Sequence, residues 1–218
     1  MTPTSAERRA RLRGLYAITP ELAELPRLQA LVIAALEGGA SLLQYRAKSL
    51  DPDVRATQAR ALLCICRARA VPFIVNDDLA LAMAIGADGV HLGREDGDVR
   101  AARARWPAGL LGVSCYAEPR LAVQAAAQGA DYVGIGSVFP SATKPAAGRA
   151  HLDCLGEARR LSGLPVAAIG GITPANARQA SAAGADMLAV ISSLFAAPDV
   201  RAAARALSLP FQTDVTHV

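Results

Sequence analysis

Two aspartates, three basic side chains and two strand ends rich in glycine or serine carry most of the chemistry in this 218-residue sequence. Asp77 and Asp96 each follow a short apolar run, VPFIVN at 71–76 and GVHLG at 89–93. They can supply hard oxygen ligands to an octahedral Mg²⁺ that keeps its waters and takes phosphate oxygens. Asp78 and Glu95 are close enough in sequence to leave the ligand set open, and an Asp at a strand-to-helix turn is also a favoured helix N-cap. Arg46, Lys48 and Lys144 bring positive charge: Arg binds phosphate bidentately, whereas Lys acts as a movable point charge. Gly170-Gly171 and Ile191-Ser192-Ser193 offer backbone N–H groups of the kind that loops after strands present to phosphate. The glycine pair also reads as a tight turn before a helix capped by Thr173, with Pro174 at its first position. The metal-and-cation cluster suits a diphosphate, and the backbone site suits a monophosphate. A diphosphate held this way is a leaving group under electrophilic assistance. No Ser-His-Asp set or cysteine nucleophile stands out. His91, inside an apolar strand, reads as a core or supporting residue.

The elements that must hold these groups repeat along the chain. A glycine, a small residue and then an apolar strand recur as Gly39-Ala40-Ser41, Gly86-Ala87-Asp88, Gly129-Ala130-Asp131 and Gly184-Ala185-Asp186. Each glycine stands where a helix should end in a left-handed turn. Four more apolar runs lie between them, at 14–19, 72–76, 110–114 and 165–169, barely alternating, as expected of strands buried on both faces. Segments 121–128 and 175–183 read as alanine-rich helices with one polar face. Eight strands alternating with eight helices in one α/β domain predict a (β/α)8 TIM barrel, with a doubly wound open sheet as the alternative. The expected layout is an N-terminal extension at 1–13, a barrel at 14–207 and a tail at 208–218. In a barrel, Gln44, Arg46, Lys48, Asn76, Asp77, Asp96, Ser114, Ser137, 141–144 and the strand 7 and 8 ends converge on one rim. The opposite rim should receive mainly Gly, Ala and Pro.

Composition narrows the remaining classes. With 52% hydrophobic and 19% charged residues, the chain is not intrinsically disordered. No apolar stretch reaches membrane-helix length, and the basic N-terminus lacks the apolar core of a secretory signal. A cytoplasmic location is expected. The net charge of +4 comes from scattered arginines without interleaved aromatics, which argues against nucleic acid and membrane partners and for small phosphorylated ones. A homo-oligomer is left open. The four cysteines form no C-x-x-C pair and read as reduced thiols, with Cys64 and Cys66 on different sides of one helix.

Five motifs together resemble one family: Gln44-Tyr45-Arg46-Ala47-Lys48, VPFIVNDD at 71–78, GVHLGREDGD at 89–98, GADYVGIGSVFPSATK at 129–144 and AIGGITPAN at 168–176. The chain is similar to thiamine-phosphate synthases (thiamine-phosphate pyrophosphorylases) from about Gly14 to about Leu207. The resemblance implies a TIM-barrel transferase of thiamine biosynthesis. Such an enzyme joins 4-amino-2-methyl-5-hydroxymethylpyrimidine diphosphate to a thiazole phosphate, carboxylated or decarboxylated, and releases diphosphate from a carbocation-like state. It implies that Gln44, Tyr45, Arg46, Ala47, Lys48, Asn76, Ser114 and Lys144 hold the pyrimidine diphosphate, with Arg46, Lys48, Ser114 and Lys144 in catalytic roles. It further implies Mg²⁺ on Asp77 and Asp96, and the thiazole phosphate on Ser141, Ala142, Thr143, Gly171, Ile191 and Ser192. Ser141 stands where many relatives have Thr, and Ala142 where the residue is often polar. Thiazole tautomerase-like barrels are the alternative; they lack the Asn-Asp pair and the acidic loop, both present here. A non-catalytic sensor of phosphorylated ligands would need no complete metal site.

Overall fold

A computed structural model of the protein describes residues 5–10, 12–140 and 150–212. Helix α1 (Ser5–Ala10) precedes the first strand, β1 (Gly14–Ile18). There follow α2 (Leu25–Glu37), β2 (Ala40–Tyr45), α3 (Pro52–Arg67), β3 (Phe73–Asn76), α4 (Leu79–Ile85), β4 (Gly89–Leu92), α5 (Val99–Arg105) and β5 (Leu110–Tyr116). The second half holds α6 (Pro119–Ala127), β6 (Tyr132–Gly136), α7 (Asp153–Ser162), β7 (Val166–Ile169), α8 (Ala177–Ala182), β8 (Met187–Val190), α9 (Ser192–Phe195) and α10 (Val200–Ser208). The eight strands are parallel and close in chain order, β8 pairing with β1, so the expected barrel forms rather than an open sheet. Among the described residues, no helix is long and apolar enough to cross a membrane.

Alternation along the strands sorts side chains into two cores. Tyr16, Ile18, Leu42, Ile74, Tyr132, Ala167, Met187 and Ala189 face one another inside the barrel. Their neighbours, among them Leu15, Ala17, Leu43, Val75, Leu111, Val133, Ala168 and Leu188, pack outward against the helices. Both faces are therefore apolar, which is why the strands read as unbroken hydrophobic runs. Several helices start on an aspartate: Asp51, Asp78, Asp98 and Asp199 each accept a hydrogen bond from an amide in the first turn. On α3, Cys66 is buried and Cys64 exposed, and all four cysteines are free. Burial pushes the Cys66 and Cys115 thiols up to about 12, which leaves them unreactive.

The repeated tripeptides clasp the strands in pairs. The Asp88 carboxylate accepts from Phe73 N at 2.8 Å, Asp131 from Leu111 N at 3.0 Å and Asp186 from Val166 N at 3.0 Å. Each aspartate also donates its own N–H to the carbonyl of that same partner residue. Ser41 does the corresponding task with opposite polarity, its hydroxyl contacting the carbonyls of Arg13 at 2.7 Å and Leu15 at 3.2 Å. The lower rim, expected to be mostly Gly, Ala and Pro, thus carries these polar clasps. Their aspartates cost little there because backbone amides replace water around each carboxylate. All four repeat glycines have positive φ, as their helix-ending role requires.

Asp131 is 1% exposed and gathers three arginines: Arg103 pairs with Oδ2, and Arg8 and Arg9 approach Oδ1 at 3.4 and 3.9 Å. Arg103 also donates to the carbonyls of Gly129, Trp106, Pro107 and Gly109. Through these contacts α1 is docked under the barrel, and Leu12 joins the interior core. At the other end of the chain, the Arg13 guanidinium lies 5.9 Å from the Phe211 ring centroid. Asp131→Ala should lower the unfolding free energy by about 3 kcal/mol, because it orphans buried arginine groups and a strand amide together. Asp88→Ala should cost about 1–2 kcal/mol through the strand amide. Urea denaturation checks both values, and their order is the informative result.

Candidate functional site

The β2 end shows how alternation selects what reaches the upper rim. Gln44 points into the barrel and donates from Nε2 to the Tyr16 hydroxyl at 2.6 Å. Tyr45 turns the other way, into the helix layer, where its hydroxyl donates to Gln58 Oε1 at 2.9 Å. Its side chain is therefore a packing group, and only its backbone lies along the expected substrate stretch. Ala47 also packs against the outer core. Arg46 follows on the rim, its amide bonded to Thr19 Oγ1 at 2.9 Å, which ties the ends of β1 and β2 together. The loop beyond is fastened where Glu21 Oε1 accepts from Ser49 N at 2.6 Å. That amide is the largest influence holding the Glu21 carboxyl below its usual range.

After β3 the chain reverses. Asp77 sits at φ 65°, a left-handed conformation that Asp tolerates better than most residues, and its amide donates to the carbonyl of His91 at 2.8 Å. This reversal brings the Asp77 carboxylate 3.0 Å from Lys48 Nζ and within hydrogen-bond reach of Asp96. Asp96 is held by the Gly93 amide at 2.7 Å. Burial raises the Asp96 pKa first, and the bond and charge of Asp77 raise it further. Two facing carboxylates beside an ammonium are a charge arrangement that a divalent cation relieves. Among the described residues, no group of three or more His, Cys, Asp or Glu side chains could hold a metal. A pair of carboxylates fits Mg²⁺, which binds through one or two of them and fills its shell with water and phosphate. The neighbours left open in sequence now separate. Asp78 caps α4 through Leu81 N at 2.8 Å and lies 3.8 Å from Arg55, while Glu95 is exposed on the loop.

Beneath the rim a hydrogen-bonded chain crosses the barrel interior. It runs from Gln44 to Tyr16, from Tyr16 to Tyr132 at 2.7 Å, from Tyr132 to His91 Nδ1 at 3.2 Å, and from His91 Nε2 to Ser114 at 2.9 Å. Burial pushes the His91 pKa down to about 4, so the ring is neutral at physiological pH. The supporting role expected of His91 is what the structure shows. Tyr16 and Tyr132 were not among the expected site residues, since each looks like core filling within its apolar run. Their inward positions, shared with Gln44 and His91, are the signal that could have found them. Tyr116 was missed as well. At φ 52° and beside a register shift in β5, it lies under the Arg94 guanidinium at 4.8 Å and accepts from Arg94 N at 3.1 Å. It thereby braces the 93–96 loop.

On the far side of the rim, the loops after β6, β7 and β8 share contacts. Phe139 N donates to Gly170 O at 3.1 Å, and Ser193 Oγ donates to Ile172 O. Asn176, not the expected Thr173, stands at the N-cap position of α8 and makes no side-chain bond to the helix; its Oδ1 accepts from Thr173 N at 2.8 Å while its Nδ2 donates to Gly171 O at 3.0 Å. A turn over 173–176 therefore precedes α8, which starts two residues later than the sequence suggests. The Ser193–Ile172 bond joins the segment after β8, where Ile191 and Ser192 lie, to the loop that holds Gly171, and the Ile191 side chain packs on the interior core. Asn76 closes β3 at the same rim as Ser114 on β5. Ser141, Ala142, Thr143 and Lys144 lie outside the described residues.

A family model described as thiamine monophosphate synthase matches residues 15–194. The thiamine-phosphate synthase of Aromatoleum aromaticum is 57% identical over 197 residues, covering 90% of this chain and 95% of that protein. The thiamine-phosphate synthase of Bordetella avium is 53% identical over 204 residues, covering 91% and 94%. Among solved structures, the thiamine phosphate pyrophosphorylase of Pyrococcus furiosus superposes with a TM-score of 0.82 at 37% identity, covering 92% of this chain and 95% of that one. A tryptophan synthase of Mycobacterium tuberculosis shares the fold alone, at 16% identity and a TM-score of 0.69.

Gly171 has φ 63°, and a Cβ there would collide with the Pro140 carbonyl and lie 2.8 Å from the Phe139 carbonyl carbon. Gly171→Ala should therefore cost about 1–3 kcal/mol of stability. It should also speed hydrogen exchange at the Phe139 amide while leaving the Leu111 amide at the lower rim protected.

Proposed function

The chain belongs to the thiamine monophosphate synthase family, and from that premise we propose that it transfers the 4-amino-2-methylpyrimidin-5-ylmethyl group from its diphosphate to the ring nitrogen of a thiazole phosphate. The products are thiamine phosphate and diphosphate. The observation that carries this reading is the meeting of Asp77, Asp96 and Lys48 on the same rim as Arg46 and Ser114. A tautomerase-like barrel has no use for the facing carboxylates.

The site residues take roles that follow from their chemistry. Asp77 and Asp96 hold Mg²⁺, which when bound supplies positive charge to the departing diphosphate. Lys48, already beside Asp77, and Arg46, braced through Thr19, bind diphosphate oxygens as point charge and fork. Asn76 and Ser114 donate to the same substrate, Gln44 orients its pyrimidine from below, and Lys144 joins from the loop after β6. The Tyr45 and Ala47 backbones complete that stretch. Gly171, Ile191 and Ser192, with Ser141, Ala142 and Thr143, receive the thiazole phosphate, largely through backbone N–H groups. Charge develops on the leaving diphosphate as its C–O bond breaks, so cations fixed before binding stabilise the transition state more than the ground state. The cation-like carbon left behind is captured by the thiazole nitrogen. The reaction is expected in the cytoplasm.

Given both substrates and Mg²⁺, the purified protein should release diphosphate and form thiamine phosphate, and EDTA should abolish turnover. Asp77→Ala should lower kcat by about 100-fold or more, as loss of a group that stabilises transition-state charge does. Its circular dichroism should match that of the wild type, with stability lower by about 1 kcal/mol for alanine at φ 65°. Turnover without metal, or binding of thiazole phosphate with no coupling, would contradict the assignment.

A further inference from the structure

The chain of hydrogen bonds beneath the rim has a direction. Gln44 Nε2 can only donate, so the Tyr16 oxygen accepts from it. The remaining partner of the Tyr16 hydroxyl is Tyr132 Oη, 2.7 Å away, and that of Tyr132 is His91 Nδ1; carried on in the sense that Gln44 sets, each hydroxyl donates to the next group. A neutral imidazole that accepts at Nδ1 carries its proton on Nε2, and that N–H donates to Ser114 Oγ at 2.9 Å. Because a protonated Nε2 offers no lone pair, the Ser114 hydroxyl cannot donate to His91 and keeps its hydrogen for a partner on the rim.

The packing holds both rings to this arrangement. The inward position on β5 below Ser114 is Gly112, where a Cβ would collide with the Tyr132 ring and come within 2.5 Å of His91 Nδ1. The two rings fill the space that a side chain would otherwise take, with centroids 5.5 Å apart. A hydroxyl that can turn freely can face a phosphate either as acceptor, which repels it, or as donor, which binds it. A relay that ends in Nε2–H removes His91 as a competing acceptor for the Ser114 hydrogen and so biases the hydroxyl toward donation before substrate arrives.

We propose that Tyr132 and His91 are positioning residues that fix His91 as its Nε2–H tautomer and so present Ser114 to the diphosphate as a hydrogen-bond donor. Neither touches the reacting atoms, and the part played by the diphosphate rests on the reaction proposed above. Tyr16 and Gln44 act further back, setting the polarity that Tyr132 passes on.

The test separates the tautomer from the reaction. His91 is one of three histidines, with His151 and His217, so long-range ¹H–¹⁵N spectra of the full chain can be assigned from His151→Gln and His217→Gln. Wild-type His91 should appear protonated on Nε2 alone. Tyr132→Phe, and Tyr16→Phe as the milder variant, should give a mixture of tautomers. Binding of inorganic diphosphate with Mg²⁺, measured by calorimetry, should weaken about three- to tenfold in Tyr132→Phe and in Ser114→Ala. The double variant should bind no worse than Ser114→Ala, and kcat should follow the same pattern. A wild-type His91 protonated on Nδ1 would mean that the relay runs backwards from Gln44 Oε1, and it overturns the proposal. Additive losses in the double variant overturn it too. If the wild type fails to couple its substrates, the reaction falls, while the spectrum and the diphosphate titration still decide the relay.

Discussion

Strand register in a closed parallel barrel determines which side chains reach the upper rim, and here register is set from below. Each aspartate clasp bonds twice to one residue of the preceding strand, accepting its amide on the carboxylate and donating an N–H to its carbonyl. A slip by one residue would break both bonds and turn every side chain of the strand to the opposite face. On β2, where the clasp is the Ser41 hydroxyl, the same slip would send Gln44 into the helix layer and Tyr45 into the barrel. The rim chemistry depends on these buried contacts at the other end of the strands, and the Asp131 cluster is the most heavily tied of them.

Above that foundation the site concentrates charge of both signs in a small space. Asp77 and Asp96 face each other closely enough to raise the Asp96 pKa, and Lys48 partly compensates. Such an arrangement costs stability in the free protein and is recovered when phosphate and a divalent ion arrive, the usual trade between a rigid fold and an active site. Of the three non-glycine residues with positive φ among the described residues, Ala70 lies in the α3–β3 turn and the other two serve the site. Asp77 and Tyr116 both hold positive φ, one aiming a carboxylate and the other bracing the loop that carries its partner.

Much of this was legible in the sequence because the signals were periodic. Eight apolar runs and four recurring tripeptides were enough for the barrel, and the ends of those runs pointed to Arg46, Lys48, Asp77, Asp96 and Ser114. Reading fell short where a residue's meaning depends on its face. Tyr45 belongs to the motif yet turns outward to Gln58, whereas Tyr16 and Tyr132 look like filling and prove polar inside. The aspartates of the tripeptides passed for strand starts, since a side chain bonding to a residue 15 or 20 positions earlier leaves no local trace. Asn176 stands at the start of α8 where Thr173 was expected, yet its amide closes the 173–176 turn and ties it to Gly171 instead of capping the helix.

The clasps also divide the ring into couples. They join β1 to β2, β3 to β4, β5 to β6 and β7 to β8, while the joints between couples are crossed at their feet by backbone bonds: Leu43 to Pro72, Leu110 to Asp88, Val133 to Pro165 and Gly14 to Asp186. The closure of β8 on β1 is thus one of four equivalent seams. In mechanical terms the barrel is four hinged staves with no special last board, and opening it at any seam between staves leaves each internal fastening intact.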